Sequence, residues 1–139
     1  LEGEALVNLK QYDQARTVFN AVLEKESGNG LARLALANIV LLEGDTAQGF
    51  AQIETLLNEK PDFVPALGVY YLTKQKTNQV QDALDRVQTA LNTSPDNVDI
   101  KSLLARIYLA QQDWSSALDV VNTINLSPCL RSLITSQFL

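Results

Sequence analysis

The side chains that carry most enzyme and metal chemistry are scarce in this chain. It has no histidine and a single cysteine, Cys129, among 139 residues. Without histidine, most zinc sites and the Ser-His and Cys-His catalytic pairs cannot form, and one cysteine cannot make an intrachain disulfide. The composition therefore predicts neither a metal centre nor a disulfide-bonded scaffold.

The other candidates for chemistry are isolated carboxylates and scattered glycines. Glu24, Glu26, Glu54 and Glu59 fall on outward helix faces, where solvated charge is far more common than paired acid–base catalysis. The six glycines form neither a Gly-x-Gly-x-x-Gly pattern nor a phosphate-binding loop. We therefore predict that the chain is not an enzyme and binds no cofactor or metal.

Charge and hydropathy narrow the classes of partner. The formal net charge of −5 argues against non-specific binding to nucleic acid or to anionic lipid. No run of eighteen apolar residues is present, so we expect no membrane insertion by this segment. One cysteine leaves the compartment open, cytoplasmic or extracytoplasmic. Because the chain lacks methionine and begins inside an amphipathic pattern, we expect a fragment of a longer protein.

An internal repeat of 34 residues organises the chain. Small residues recur at this spacing in one column, at Ala15, Gly49, Ala83 and Ala117. The column four residues later is bulky and apolar, at Phe19, Ile53, Val87 and Val121. Small residues let two helix axes approach closely, and bulky neighbours fill the grooves beside the crossing. The columns therefore predict a regularly repeated helix crossing.

Turn signals divide each period into two helical stretches of about thirteen residues. These signals are Gln11-Tyr12-Asp13, Gly44-Asp45, Thr77-Asn78 and Gln112-Asp113. Pro61 and Pro95, also 34 residues apart, close two of the periods. A single helical hairpin cannot bury its apolar face alone, so neighbouring hairpins are expected to stack.

This pattern resembles the tetratricopeptide repeat. The second unit reads Leu36-Ala37-x2-Val40, Gly44-Asp45, Gly49-x3-Ile53 and Pro61. The resemblance covers essentially the whole chain and implies an all-α fold, a right-handed superhelical solenoid of antiparallel helix hairpins. It implies one repeat domain, 1–139, with units at about 1–29 (partial), 30–63, 64–97 and 98–130, and with 131–139 as the start of a fifth helix or a cap.

The third unit fits the repeat in two ways. In the strict frame Tyr71 falls where a small residue is expected, and Lys74 where a bulky apolar one is. Sliding the first helix by three residues gives Leu67-Gly68-x2-Tyr71, a good match that requires a longer turn. Both frames predict irregular packing of this helix.

The resemblance also implies a binding surface, because the first helices of this family line a concave inner wall. Residues off the packing columns are expected there, and these are Leu31, Leu34, Asn38, Leu41, Gly68, Leu72, Gln75, Ser102, Arg106 and Leu109, with Glu4 and Val7 from the incomplete first unit. Leucines outside the core have little reason to be apolar unless a partner covers them. The alternative is that Leu31 and Leu34 fill a tight gap between helices.

The predicted function is a non-catalytic scaffold that binds a protein or peptide segment, extended or helical, in this groove. By analogy we expect a bacterial protein of an envelope, exopolysaccharide or secretion assembly; the alternative is an accessory arm of a larger enzyme. The apolar stripe of Leu130, Leu133, Ile134 and Phe138 predicts weak self-association through an open C-terminal end. Trp114 is expected to plug a gap between hairpins; the alternative is an exposed anchor for a partner.

Overall fold

The computed structural model describes residues 11–124, which form seven α-helices and no strand. The helices are α1 (Tyr12–Lys25), α2 (Gly30–Leu42), α3 (Thr46–Glu59), α4 (Val64–Lys76), α5 (Val80–Thr93), α6 (Val98–Ala110) and α7 (Trp114–Asn122). The predictions for Glu4, Val7, Cys129 and the apolar C-terminal stripe lie outside the described residues. The all-helical fold class is confirmed.

The helix bounds follow the strict repeat frame. Helices α2, α4 and α6 each contain 13 residues, and their starts are spaced by one repeat. The slid frame for the third unit is therefore wrong, because α4 ends at Lys76 and the turn before α5 is as short as the others. Tyr71 is buried at the position that Ala37 and Ala105 occupy in the neighbouring units. A large ring at a small-residue position is the irregularity that both frames predicted.

Both repeat columns are buried. Ala15, Ala83 and Ala117 are each 0% exposed, and the bulky column of Phe19, Ile53, Val87 and Val121 is also buried. A Cβ atom added to Gly49 would lie 2.7 Å from Cγ of Leu41 and 3.0 Å from the carbonyl oxygen of Ala37. Helix α3 therefore crosses α2 too closely for any larger residue at position 49. The predicted role of the small column is confirmed.

The chain divides into two compact units, residues 1–73 and 74–139. In unit 1, α1 packs against α2 and α2 against α3. The rings of Phe50 on α3 and Tyr70 on α4 stack at a centroid distance of 5.0 Å. In unit 2, α5 packs against α6 and α6 against α7. Each unit thus contains antiparallel neighbours with their own buried residues.

The short turns that precede α3, α5 and α7 each contain one residue with a positive φ. Gly44, Asn78 and Gln112 occupy equivalent repeat positions and have φ values of 98°, 59° and 62°. In the last of these turns, the N–H of Asp113 donates a 2.9 Å hydrogen bond to the carbonyl of Tyr108. This is the left-handed helix termination that glycine adopts at least cost, asparagine next, and most other residues with strain.

Side-chain caps begin four of the helices. The capping side chains, which accept hydrogen bonds from backbone N–H groups of the first turn, are Asn29, Asp45, Asn97 and Asp113. Two hydrogen bonds from Ser116 hold the pKa of Asp113 below its ordinary value. The one from the Ser116 side chain has the larger effect, and the one from its backbone N–H the smaller. At α3 and α7 a turn and a side-chain cap together set where the helix starts, and therefore which residues it turns toward the core, whereas α5 begins without a side-chain cap.

Replacing Ala83 by Leu is expected to destabilise the protein by roughly 1–3 kcal/mol, because added volume at a close helix crossing forces the helices apart. Ala51, which is exposed on α3, offers the matched control for the same change. Chemical denaturation monitored by circular dichroism measures both variants. Equal loss of stability in Ala83→Leu and Ala51→Leu would contradict the assigned packing column.

Replacing Gln112 by Gly is expected to stabilise the protein by about 0.5–1 kcal/mol, because glycine removes the strain of a left-handed residue. The control is Gln111→Gly, at the preceding residue, which has φ −86° and ψ 0°. Since position 111 requires no positive φ, glycine there only adds freedom to the unfolded chain and lowers stability. Urea denaturation midpoints should therefore move in opposite directions.

Candidate functional site

The leucines predicted for the binding surface lie in different environments in unit 1. Leu31 on α2 and Leu72 on α4 are 60% and 52% exposed, whereas Leu34 is only 6% exposed. The prediction that Leu34 faces a partner is therefore corrected, because its side chain is already buried in the core. Leu34 matches the alternative interpretation, in which a leucine fills space between helices.

Leu41 was predicted to face a partner, but the exposed leucine at this end of α2 is the next residue, Leu42. Leu41 is half-buried and contacts Gly49 on α3, whereas the following residue, Leu42, is 57% exposed. Consecutive helix residues differ by about 100° in direction, so a shift of one position moves a side chain from one face to the next. Spacing alone could not single out Leu42, since Leu34, Asn38 and Leu41 are as regularly spaced along a helix as Leu31, Asn38 and Leu42 are.

Asn38 is the polar residue that lies along α2 on the same side as Leu31 and Leu42. It is half-buried on α2, and its carboxamide makes no hydrogen bond to any residue within 11–124. A carboxamide offers both donors and an acceptor. Asn38 can therefore pair with a polar group of a bound molecule without first breaking a bond inside the described part of the protein.

The exposed surface in unit 1 is called the leucine face below. Its members are Leu31, Ala35, Asn38 and Leu42 of α2 and Leu72 of α4. The starts of these two helices are adjacent, because a Cβ added to Gly30 would lie 3.0 Å from the Phe63 ring just before α4. Three large apolar side chains are thus exposed on the first helices of one compact unit.

The leucine face carries no charge. The one charged residue on α2, Arg33, donates a 3.3 Å hydrogen bond from Nη2 to Oε1 of Glu59 at the end of α3. This hydrogen bond holds the pKa of Glu59 below its ordinary value. Helix α4 has no charged residue from Val64 to Thr73. Arg33 is therefore engaged by a carboxylate of the same hairpin.

The predicted residues in unit 2 are mostly polar. Gln75, Ser102 and Arg106 are exposed, and Leu109 is half-buried. Arg106 stands at the repeat position that Leu72 occupies in α4. Helix α6, which is the first helix of its repeat, therefore offers a chemically different surface from α2.

Trp114 does not act as the buried plug that the sequence predicted. It occupies the first position of α7 and is 49% exposed. An N-terminal helix position projects beyond the packed part of the hairpin, so a large side chain there stays near solvent.

Shallow pockets occupy equivalent repeat positions in the two units. In unit 1 the pocket is lined by Arg33, Leu36, Gln52 and Thr55. In unit 2 the residues two repeats later, Lys101, Leu104, Val120 and Thr123, line a similar pocket with four others. The ammonium of Lys101 donates a 3.2 Å hydrogen bond to the carbonyl oxygen of Thr123. Each pocket therefore has its cationic side chain bound to a group of the protein.

Within residues 11–124, no group of three or more His, Cys, Asp or Glu side chains lies close enough to hold a metal ion. In the same stretch no helix combines the length and the apolar character needed to cross a membrane.

Hairpins of 34-residue period, with small residues at each crossing, define a helical repeat protein. A family model described as tetratricopeptide repeat matches residues 6–68 and 76–127. The chain therefore belongs to the tetratricopeptide repeat family. No curated protein matches the sequence.

Solved structures show the same fold at low sequence identity. A structure of Naa15/Naa10 bound to HypK-THB matches at a TM-score of 0.64 and 19% identity, covering 88% of this chain and 18% of that one. TTC0263, a thermophilic tetratricopeptide repeat protein of Thermus thermophilus, matches at 0.60 and 19%, covering 87% and 68%. MamA from Desulfovibrio magneticus RS-1 matches at 0.57 and 21%, covering 86% and 68%. This fold supports a general role as a scaffold for protein–protein interaction.

Replacing Leu34 by Lys is expected to cost roughly 2–4 kcal/mol of folding free energy, because a charged group enters the core. The same change at Leu31 should leave stability nearly unchanged, since that side chain already faces solvent. Thermal unfolding followed by circular dichroism distinguishes the two variants. A Leu31→Lys variant as unstable as Leu34→Lys would show that Leu31 belongs to the core.

Proposed function

We propose that this protein is a non-catalytic scaffold whose leucine face binds a polypeptide segment of a partner protein. The observation that carries the proposal is the exposure of Leu31, Leu42 and Leu72, which ranges from 52% to 60%. Scattered exposed leucines are common, but these three lie on the first helices of one compact unit. Exposed apolar side chains concentrated on two helices in this way are typical of protein interaction sites.

The energetics fit binding of moderate strength. Full burial of a leucine side chain contributes about 1.5–3 kcal/mol, so covering the exposed half of three leucines contributes roughly 2–4 kcal/mol. Micromolar affinity requires about 8 kcal/mol. The remainder must come from polar contacts such as Asn38 and from the surface around the leucines. Substitution of two leucines by lysine should therefore remove most of the measurable binding.

Rigidity of the receptor also favours binding. The leucine face stands on α2 and α4, whose neighbours are held by buried columns, side-chain caps and ring stacking. A surface that is ordered before binding loses little conformational entropy when a ligand arrives. The ordering cost therefore falls mainly on the partner segment.

We place the scaffold in a bacterial envelope, exopolysaccharide or secretion assembly; two of the matched structures come from the bacteria Thermus thermophilus and Desulfovibrio magneticus. The alternative function is an accessory arm of a larger enzyme. In one matched structure a similar array forms 18% of a longer chain, so an array of this kind can be part of a larger protein. Both functions use the leucine face in the same way.

The test is selection of displayed random 18-residue peptides on the immobilised protein. We expect the wild type to enrich peptides that bind with micromolar dissociation constants, and the Leu31→Lys/Leu72→Lys variant to lose at least tenfold in affinity. Ala51→Lys, a change at an exposed position of α3, is the matched control and should bind as the wild type does. Anisotropy titrations measure all three proteins. Enrichment of no peptide, or equal binding by the double variant, would refute the proposal.

A further inference from the structure

We infer that Asn29 is a site of self-modification, at which the main-chain nitrogen of Gly30 attacks the Asn29 carboxamide whenever the turn between α1 and α2 opens. The reaction converts asparagine to aspartate or isoaspartate and releases ammonia. The folded turn suppresses the reaction, and the isoaspartate product removes the side-chain cap of α2. This inference is independent of what the leucine face binds.

The sequence contains one pair of residues that favours this chemistry. Asn29 and Gly30 form the one place in the 139 residues where asparagine or aspartate precedes glycine. Deamidation of an asparagine begins with attack by the nitrogen of the next residue, so the next side chain controls access to that nitrogen. Glycine has no Cβ and leaves the nitrogen unobstructed, whereas a β-branched residue shields it. This pair is therefore the most reactive asparagine sequence in the chain.

Both residues of the pair have a structural role. Asn29 caps α2, because its Oδ1 accepts a 2.9 Å hydrogen bond from the backbone N–H of Ala32. Gly30 is buried, and a Cβ atom there would lie 3.0 Å from Cζ of Phe63. A capping side chain followed by a position with little room for a side chain thus places the reactive pair at the start of α2.

The reaction has two balanced steps. In the first, the Gly30 nitrogen forms a bond to Cγ of Asn29, the bond between Cγ and Nδ2 breaks, and Nδ2 leaves as ammonia with the proton of the Gly30 nitrogen. In the second, water opens the resulting five-membered succinimide ring, and its proton returns to the Gly30 nitrogen. Attack of water at Cγ gives aspartate, and attack at the main-chain carbonyl carbon gives isoaspartate. Water is the only co-reactant.

The folded turn holds the reacting atoms apart. Ring closure requires the Gly30 nitrogen to eclipse Cβ of Asn29, which corresponds to a ψ of about −120° at Asn29. The observed ψ is 104°, so this nitrogen points away from the side chain. Both ends of the carboxamide are also bound, Oδ1 by the N–H of Ala32 and Nδ2 by a 3.0 Å hydrogen bond to Oε2 of Glu26. The reaction therefore requires local opening of the turn.

Asn97 provides a reference within the same molecule. It lies two repeats after Asn29 and caps α6 with φ −71° and ψ 112°, close to the φ −67° and ψ 104° of Asn29. The residue after Asn97 is Val98, whose branched side chain obstructs the attacking nitrogen. The two asparagines thus share the cap conformation and differ in the residue that follows.

Isoaspartate cannot replace Asn29 as a cap. Its main chain runs through the former side-chain carbons, so the chain before α2 is longer by one atom and the free carboxylate is attached directly to Cα. A carboxylate in that place no longer reaches the N–H of Ala32, and a helix start without a cap is less stable. The modified fraction therefore accumulates with the time that the turn spends open.

Mass spectrometry of proteolytic peptides from the full chain measures the reaction, because deamidation adds one dalton and fragment ions separate isoaspartate from aspartate. The protein is incubated at mildly alkaline pH, once folded and once in concentrated urea. In urea we expect Asn29 to react at least tenfold faster than Asn97. Folding should slow the reaction at Asn29 at least tenfold. Equal rates at the two asparagines in urea, or a rate at Asn29 that folding leaves unchanged, would overturn the inference.

A variant of α1 tests the restraint on the carboxamide. Glu26→Ala removes the acceptor of the Nδ2 hydrogen bond and keeps the reactive pair. It should raise the rate at Asn29 at least threefold in the folded protein and leave the rate in urea unchanged. Glu24→Ala, at an exposed position of α1, is the matched control and should alter neither rate. If both variants react as the wild type does, the folded turn does not restrain the carboxamide and the inference is wrong.

The refolded product tests the loss of the cap. The isoaspartate form, separated by ion exchange after incubation in urea, should unfold at a lower urea concentration than the unmodified protein, as Asn29→Ala should. Asn29→Ser retains a capping oxygen and has no carboxamide. It should form no isoaspartate at this position and should have a higher urea midpoint than Asn29→Ala. An isoaspartate form as stable as the unmodified protein would refute the predicted loss of the cap.

Discussion

The close crossing of paired helices is the constraint on which the other features of each unit depend. At Gly49 even a Cβ atom would overlap Leu41 and press on the carbonyl of Ala37, and Ala83 and Ala117 are fully buried at the equivalent positions. A crossing this close sets how each helix is rotated about its axis. Once that rotation is set, the bulky column beside the crossing is buried and the residues on the opposite side of the first helix face outward.

The leucine face is a consequence of this rotation. With Leu41 held against Gly49, Leu42 turns to solvent, and Leu31 shares its direction along α2. The side-chain caps of α2, α3, α6 and α7 also affect this rotation, because they help to determine the residue at which each of these helices begins. The strain of a left-handed Gln112 is tolerated at the turn before α7. The rotation of α2 about its axis therefore determines both which residues pack in the core and which are exposed on the leucine face.

The two units use the same repeat for different surfaces. At one repeat position the chain has Asn38 and Leu72 in unit 1 and Arg106 in unit 2. The pockets beside Arg33 and Lys101 differ as well, since a carboxylate engages the arginine and a backbone carbonyl engages the lysine. A repeat protein can vary such positions freely, because residues outside the packing columns contribute little to the fold. We therefore propose that chemical variation along these positions sets the specificity of the scaffold.

The sequence by itself determined the helical hairpins, their period, the small and bulky columns and the family. These features depend on local propensity and on regular spacing, which are both present in the order of residues. Tertiary structure decided the frame of the third unit, the burial of Leu34, the exposure of Leu42 and the exposure of Trp114. Leu34, Leu41 and Leu42 are chemically identical, so composition cannot rank them, and a rotation of about 100° per residue separates a core position from a surface one. The packing of α1 and α3 against α2 sets that rotation.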